Sequence, residues 1–134
     1  MTERPDDQAH YPGRAPIDAY GNGGFRFAEM SHRGSILLLP SGIYGWPISS
    51  IEQLEPASFA RVFAEAATIE FLLLGCGMEM RRPGPSVREA FQRHQIGLEL
   101  MTTGAAARTY NVLLAEDRAV AAALIAVDDP SARR

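Results

Sequence analysis

The stretch Phe71-Leu72-Leu73-Leu74-Gly75-Cys76-Gly77 sets four consecutive apolar residues before a glycine turn. A strand buried on one face alternates apolar with polar residues, whereas apolar side chains at successive positions fit a strand covered on both faces. The run Ile69 to Leu74 is too short for a helix of its own, so it reads as an interior strand of a layered sheet.

Outward from that strand the rhythm is helical on both sides. Pro56 suits the first turn of a helix, and Phe59, Val62, Phe63 and Ala66 follow at the spacing of a core-facing stripe. Downstream, Ser86 and Glu89 match a capping box, and Val87, Ala90 and Phe91 form an apolar helix face. Gly97 to Leu100 reads as a further strand. Thr102 or Thr103 caps a third helix carrying Tyr110, Leu113 and Leu114. Ala119 to Val127 combines helix-favouring alanines with the length and charged borders of a short central strand, and strand is the assignment adopted. Upstream lie short alternating segments, Ile17 to Tyr20, Phe25 to Phe27, Ser35 to Leu39 and Ile43 to Trp46, separated by glycine and proline turns. The expected fold is a three-layer α/β single domain over residues 16–127: a mixed central sheet of about five strands covered by helices, with additional N-terminal β-hairpin structure. Residues 1–15 read as a flexible arm and 128–134 as a flexible tail.

The chain has 134 residues, 46% hydrophobic and 22% charged. This composition excludes a repeat array, collagen and a disordered chain. Its 13 cations are all arginine against 16 acidic residues, giving a formal charge of −3, so no strong positive field favours nucleic acid. Without lysine, neither a Schiff base nor a P-loop can form. A single cysteine excludes an internal disulfide. The longest apolar run, Ala119 to Val127, would span about 14 Å as a helix, against about 30 Å of hydrocarbon. The expected location is the cytoplasm, with peripheral attachment to the inner membrane left open.

Four features bear on chemistry. Gly75-Cys76-Gly77 resembles a phosphate-binding turn, yet Met80 stands at the third glycine position and Pro83-Gly84-Pro85 delays the helix, so a tight turn is preferred and no cofactor is assigned. Cys76 would need a base such as His94 to act as a nucleophile, but His94 falls on the face of Val87, Ala90 and Phe91, where a packed histidine is the commoner outcome. His10 and His32 add no metal-ligand spacing, and no metal is assigned. Arg81, Arg82, Arg88 and Arg93 follow the glycine turn and could hold an anion, or simply face solvent beside Glu79 and Glu89. Thr109 and Asn111 are poor helix formers inside an expected helix, which points to side-chain bonds that brace a loop, the glycine turn being one choice. The candidate ligand or partner site therefore comprises Gly75, Cys76, Gly77, Arg81, Arg82, Thr103, Arg108 and Asn111, with no catalytic residue. Tyr44 and Trp46 are aromatic candidates for a partner surface, or core residues.

Phe71 to Gly77, Ile96 to Thr103, Arg108 to Arg118 and Val120 to Ile125, with Ile43 to Trp46, together resemble one family over roughly residues 15–127. It is the family of uncharacterised domains that includes mitochondrial NADH dehydrogenase (complex I) assembly factor three and its small bacterial and archaeal relatives. The resemblance implies a three-layer domain with a mixed five-stranded sheet and extra N-terminal β structure. It brings no established catalytic residues, and it implies that the middle residue of the glycine turn is commonly Thr where this chain has Cys76. The mitochondrial relative works through protein contacts near the inner membrane. The expected function is thus a non-enzymatic protein-binding or assembly-factor-like domain, with respiratory complex I as one target and the partner unidentified. The alternative is a small-molecule- or anion-binding protein or enzyme that uses the pocket at Gly75-Cys76-Gly77. The arginine-only, alanine-rich composition fits a bacterial source.

Overall fold

The computed structural model describes residues 9–128. In chain order the elements are β1 (Ala9–Tyr11), β2 (Ala19–Gly21), β3 (Gly24–Phe27), β4 (Met30–Arg33), β5 (Ser35–Leu39), β6 (Gly42–Trp46), α1 (Ala60–Ala64), β7 (Phe71–Gly75), α2 (Pro85–Arg93), β8 (Gly97–Met101), α3 (Thr103–Ala115) and β9 (Val120–Leu124).

A mixed six-stranded sheet runs β1-β6-β5-β9-β7-β8, and a separate three-stranded meander runs β2-β3-β4. β7 is parallel to both β8 and β9, while β9 meets β5 antiparallel. Every residue of β5 and β9 is buried, as expected for strands covered on both faces. Alternate residues feed two cores. One face holds Ile36, Leu38, Leu73, Ala122 and Leu124 against Ala106, Ala107 and Tyr110 of α3 and Phe25 and Phe27 of the meander. The other holds Leu37, Leu39, Leu72, Leu74 and Ala123 against Phe59, Val62, Val87 and Phe91. The domain is three-layered as read from sequence, with α3 and the meander sharing one outer layer.

Several local expectations shift. The sheet gains a sixth strand because Ala9–Tyr11 pairs with β6. The expectation of a loose arm over 1–15 therefore does not hold there. Pairing occupies the otherwise open edge of β6, the Arg14 guanidinium donates to the Arg118 carbonyl at 2.6 Å, and Ala15 is buried. Residues 1–8 of that arm and 129–134 of the tail lie outside the described residues. The helix expected from Pro56 breaks into a 3-10 turn at Pro56–Phe59, a five-residue α1 and a second 3-10 turn at Ala66–Thr68. Ser86 and Glu89 form no capping box. Gly84 is the N-cap of α2 and Pro85 takes the first helical position, where its missing N–H is harmless. Ala119 to Val127 does contain a strand, Val120–Leu124.

Trp46 and Tyr44 are not free aromatic patches. Trp46 is 5% exposed, its indole N–H donating to the Ser58 carbonyl at 2.8 Å while the ring packs on Phe59. Tyr44 is half-buried beneath the Arg61 guanidinium, 4.3 Å from its ring centroid.

Candidate functional site

β7 ends where the N-terminus of α3 crosses it. A Cβ on Gly75 would lie 3.0 Å from the Thr103 Cα and 3.0 Å from Leu124 Cδ2, so the strand end must be glycine for the helix to sit this close. Thr102 supplies the N-cap of α3, its hydroxyl accepting from the Ala105 N–H. Thr103 is then free to turn inward. Fully buried, its hydroxyl donates to the Ile125 carbonyl at 2.6 Å and accepts the Gly77 N–H at 3.0 Å. Backbone bonds complete the bracket: Thr103 N–H to Gly77 O at 2.9 Å, Cys76 N–H to Met101 O at 2.8 Å, and Ile125 N–H to Gly75 O at 3.0 Å.

This bracket decides what the turn can do. A phosphate turn needs unpaired backbone N–H groups and a helix opening directly behind it. Here the N–H groups of Cys76 and Gly77 are already donated, and α2 begins only at Pro85. The space between the turn and α3 is packed by Thr103. Concave space lies instead on the other side of the turn, a groove of about 470 Å³ bordered by Ser49, Glu52, Gly77, Arg81 and Val127.

Cys76 is 6% exposed, and its thiol donates to the Arg81 carbonyl at 3.1 Å. Burial pushes the thiol pKa above its ordinary value, so it stays protonated and unreactive at neutral pH. His94 is no base for it. Its ring stacks on Phe63 at 4.0 Å, and it sits at the C-terminal end of α2, beside the start of β8, which pairs with Phe71 at the opposite end of β7 from Cys76.

The remaining candidate residues disperse. Arg81 is spent on Glu52, 2.7 Å away, on an exposed surface. A hydrogen bond from its own backbone N–H, and then Arg81, hold the Glu52 carboxyl below its ordinary range. Arg108 lies exposed on α3. Asn111 braces the N-terminal segment, not the glycine turn: its Oδ1 accepts the Ile17 N–H and its Nδ2 donates to the Ile17 carbonyl, both at 2.8 Å. Arg82 lines a different groove, of about 390 Å³, beside β8, with Arg88 and an apolar wall of Met80, Phe91, Ile96, Leu98 and Leu100. Among the described residues, no group of three or more His, Cys, Asp or Glu converges to hold a metal ion, and no helix is long and apolar enough to cross a membrane.

Sequence reasoning missed two features. Ser35, buried, repeats the Thr103 device: its hydroxyl donates to Ile48 O at 2.6 Å and accepts the Ala126 N–H at 2.9 Å. The only hint was a polar residue heading an apolar run. The β8 groove was also missed. Met78 and Met80, 50% and 53% exposed in a polar loop, were its available signal.

A family model described as a protein of unknown function (DUF498/DUF598) matches residues 17–125. An uncharacterised protein of Rhodobacter capsulatus is 35% identical over 115 residues, covering 86% of this chain and 87% of its own. The mouse NADH dehydrogenase [ubiquinone] 1 alpha subcomplex assembly factor 3 is 30% identical over 118 residues, covering 88% of this chain. The match spans 64% of the mouse protein's length, so the chain is similar to part of it. Among solved structures, the crystal structure of an outer membrane protein from Bartonella henselae superposes with a TM-score of 0.86 at 55% identity, covering 89% of this chain and 100% of that one.

Proposed function

We propose, for a chain that belongs to the DUF498/DUF598 family of proteins of unknown function, an assembly-factor-like role: the domain binds a protein partner during the building of a membrane-bound respiratory complex, complex I in the first instance, and catalyses no reaction. The observation that carries this reading is the similarity to assembly factor 3, which extends over 118 residues, 88% of the chain, and so takes in strands β5 to β8, the glycine turn and Thr103. The glycine turn supports it from the other side, since its N–H groups and its thiol serve internal bonds. The reading sets the chain in a bacterial cytoplasm, working at the surface of the inner membrane. The test is deletion of the gene in the source organism, followed by native-gel analysis of the respiratory complexes. Incomplete complex I, restored by the returned gene, is the expected result; normal assembly in the deletion strain overturns the role.

A ligand-binding reading rests on the 470 Å³ groove at the turn, but its cation, Arg81, already has a carboxylate partner. Titration with inorganic phosphate, followed by NMR at the Gly77 and Arg81 amides, separates the two readings. Site-specific saturable shifts would favour the ligand.

A further inference from the structure

The parallel pairing of β8 with β7 leaves its other side open: β8 ends the sheet order, and no strand among the described residues pairs there. The Gly97 N–H donates to Glu70 and the Met101 carbonyl accepts from Cys76, so the odd-numbered residues of β8 turn their backbone groups toward β7. By the alternation of a strand, the N–H and C=O of Leu98 and Leu100 point outward, unpaired. The side chains of these same two residues face α2 and form the floor of the 390 Å³ groove, walled by Met80, Phe91 and Ile96. Natural sheets blunt exposed edges with charge, proline, a bulge or a covering element. The one charged side chain of β8, Glu99, lies by alternation on the face away from α2, so the α2 side of this edge offers hydrogen-bonding groups and an apolar trough in register.

Charge selects the occupant. Arg82 and Arg88 border the groove, both exposed, and neither forms an ion pair among the described residues. Arg82 lies in the loop before α2 and Arg88 near its N-terminal end, and α2 returns the chain from the C-terminal end of β7 to the start of β8. The cations therefore sit with Met80 toward the Leu100 end, and Phe91 and Ile96 wall the groove toward the Gly97 end. A second copy pairing antiparallel along β8 would set the two arginine pairs at opposite ends of the joined strands, and the β8 side chains it laid on the α2 face, Leu98 and Leu100, would bring no carboxylate to meet them.

We infer that the open edge of β8 is a docking site for an extended segment of a partner protein, added to the sheet as a further strand. Its alternate side chains facing α2 are apolar at the centre and acidic at the end that meets Arg82 and Arg88. Backbone pairing to Leu98 and Leu100 supplies general affinity, and the trough with its cationic end selects the sequence. The inference deepens the partner-binding role and rests on it only for the existence of a partner.

The probe is a terminally blocked peptide, Glu-Thr-Val-Thr-Val-Thr-Glu, whose acidic ends serve either strand direction, against the same peptide with Lys at both ends. Amide NMR and hydrogen exchange on the intact chain read the result. The acidic peptide is expected to protect the Leu98 and Leu100 amides and to bind about tenfold more tightly than the basic one at low salt. The exposed double variant Arg82→Glu/Arg88→Glu should invert that preference. The inference is overturned by unmoved Leu98 and Leu100 amides, by equal affinity for the two peptides, or by protection of those amides in the free chain that grows with concentration, which would mean a second copy occupies the edge. Returning the double variant to the deletion strain separates the two proposals. Complex I restored by a variant that no longer binds the peptide keeps the assembly role and rejects this edge. Peptide binding with normal complex I in the deletion strain does the reverse.

Discussion

Removing the Thr103 hydroxyl would strand a buried carbonyl at Ile125 and an N–H at Gly77 together. Thr103→Val, which keeps the shape, should lower stability by about 2–3 kcal/mol in guanidinium unfolding, since an orphaned polar group costs its full desolvation. Thr103→Ser, which keeps the hydroxyl, should lose only about 1 kcal/mol for the missing methyl. Equal losses would show that packing, not the hydrogen bonds, matters there. Asn111 makes a similar point on the far side of α3. Its amide satisfies both backbone groups of Ile17 as a neighbouring strand would. Asn111→Ala should cost about 1–3 kcal/mol and release the Ile17 amide to rapid hydrogen exchange. That a polar residue inside this helix acts as a brace was legible from its poor helix propensity. Its partner was not, because Ile17 lies far away in sequence.

At the scale of an element, the meander carries an unusual turn. β2 and β3 are joined by Asn22 and Gly23 with φ of 54° and 77°, residues suited to the positive φ of a type I′ hairpin turn. β3 and β4 are joined by Ala28 and Glu29 with φ of 49° and 62°, where neither side chain favours that region. Replacing them by the favoured pair, Ala28→Asn with Glu29→Gly, should raise the unfolding free energy by about 1–2 kcal/mol, read as a higher denaturant midpoint at unchanged slope. An unchanged midpoint would mean that the turn stores no strain. Local pattern identified the strand before this turn, Phe25 to Phe27, but not its partner Met30–Arg33, and the turn sequence itself gave no hairpin signal. Helix ends were equally hard to read. Ser86 and Glu89 have the right spacing for a capping box, yet Pro85 already holds the first helical position, which moves the N-cap back to Gly84.

Across the whole molecule, the two sheets touch where His32 of β4 meets His10 of β1, ring centroids 4.3 Å apart. Burial, and then the His10 charge, lower the His32 pKa, opposed by its hydrogen bond to Ser35 O. In the unfolded chain an ordinary histidine takes up its proton near pH 6.5, while folded His32 resists until lower pH. The unfolded state therefore binds more protons in that interval. Stability from this site is full above about pH 7.5, falls as pH drops through about 6.5, and levels off once folded His32 protonates as well. Melting temperatures measured from about pH 8 to 5 should decline in the native chain, and His32→Gln should flatten the decline. An unchanged slope in the variant would place the titrating group elsewhere.

The sequence alone determined the layered α/β class, the β7 strand and the apolar faces of α2 and α3, because residue periodicity and strand length are local quantities, whereas the alanine-rich run of β9 left helix and strand both open until its neighbours in the sheet were placed. The family resemblance was equally visible, since it rests on contiguous runs. Only tertiary structure decided the rest. Which of two adjacent threonines caps α3 and which fills the crevice depends on how closely a helix approaches Gly75. Which arginine is free depends on whether Glu52 comes within reach. Which strand is left at the edge of the sheet depends on the crossover that carries the chain over β7 to β9. Such contacts join residues distant along the chain, so no local pattern encodes them, and both the closing of the glycine turn and the opening of the β8 edge follow from them.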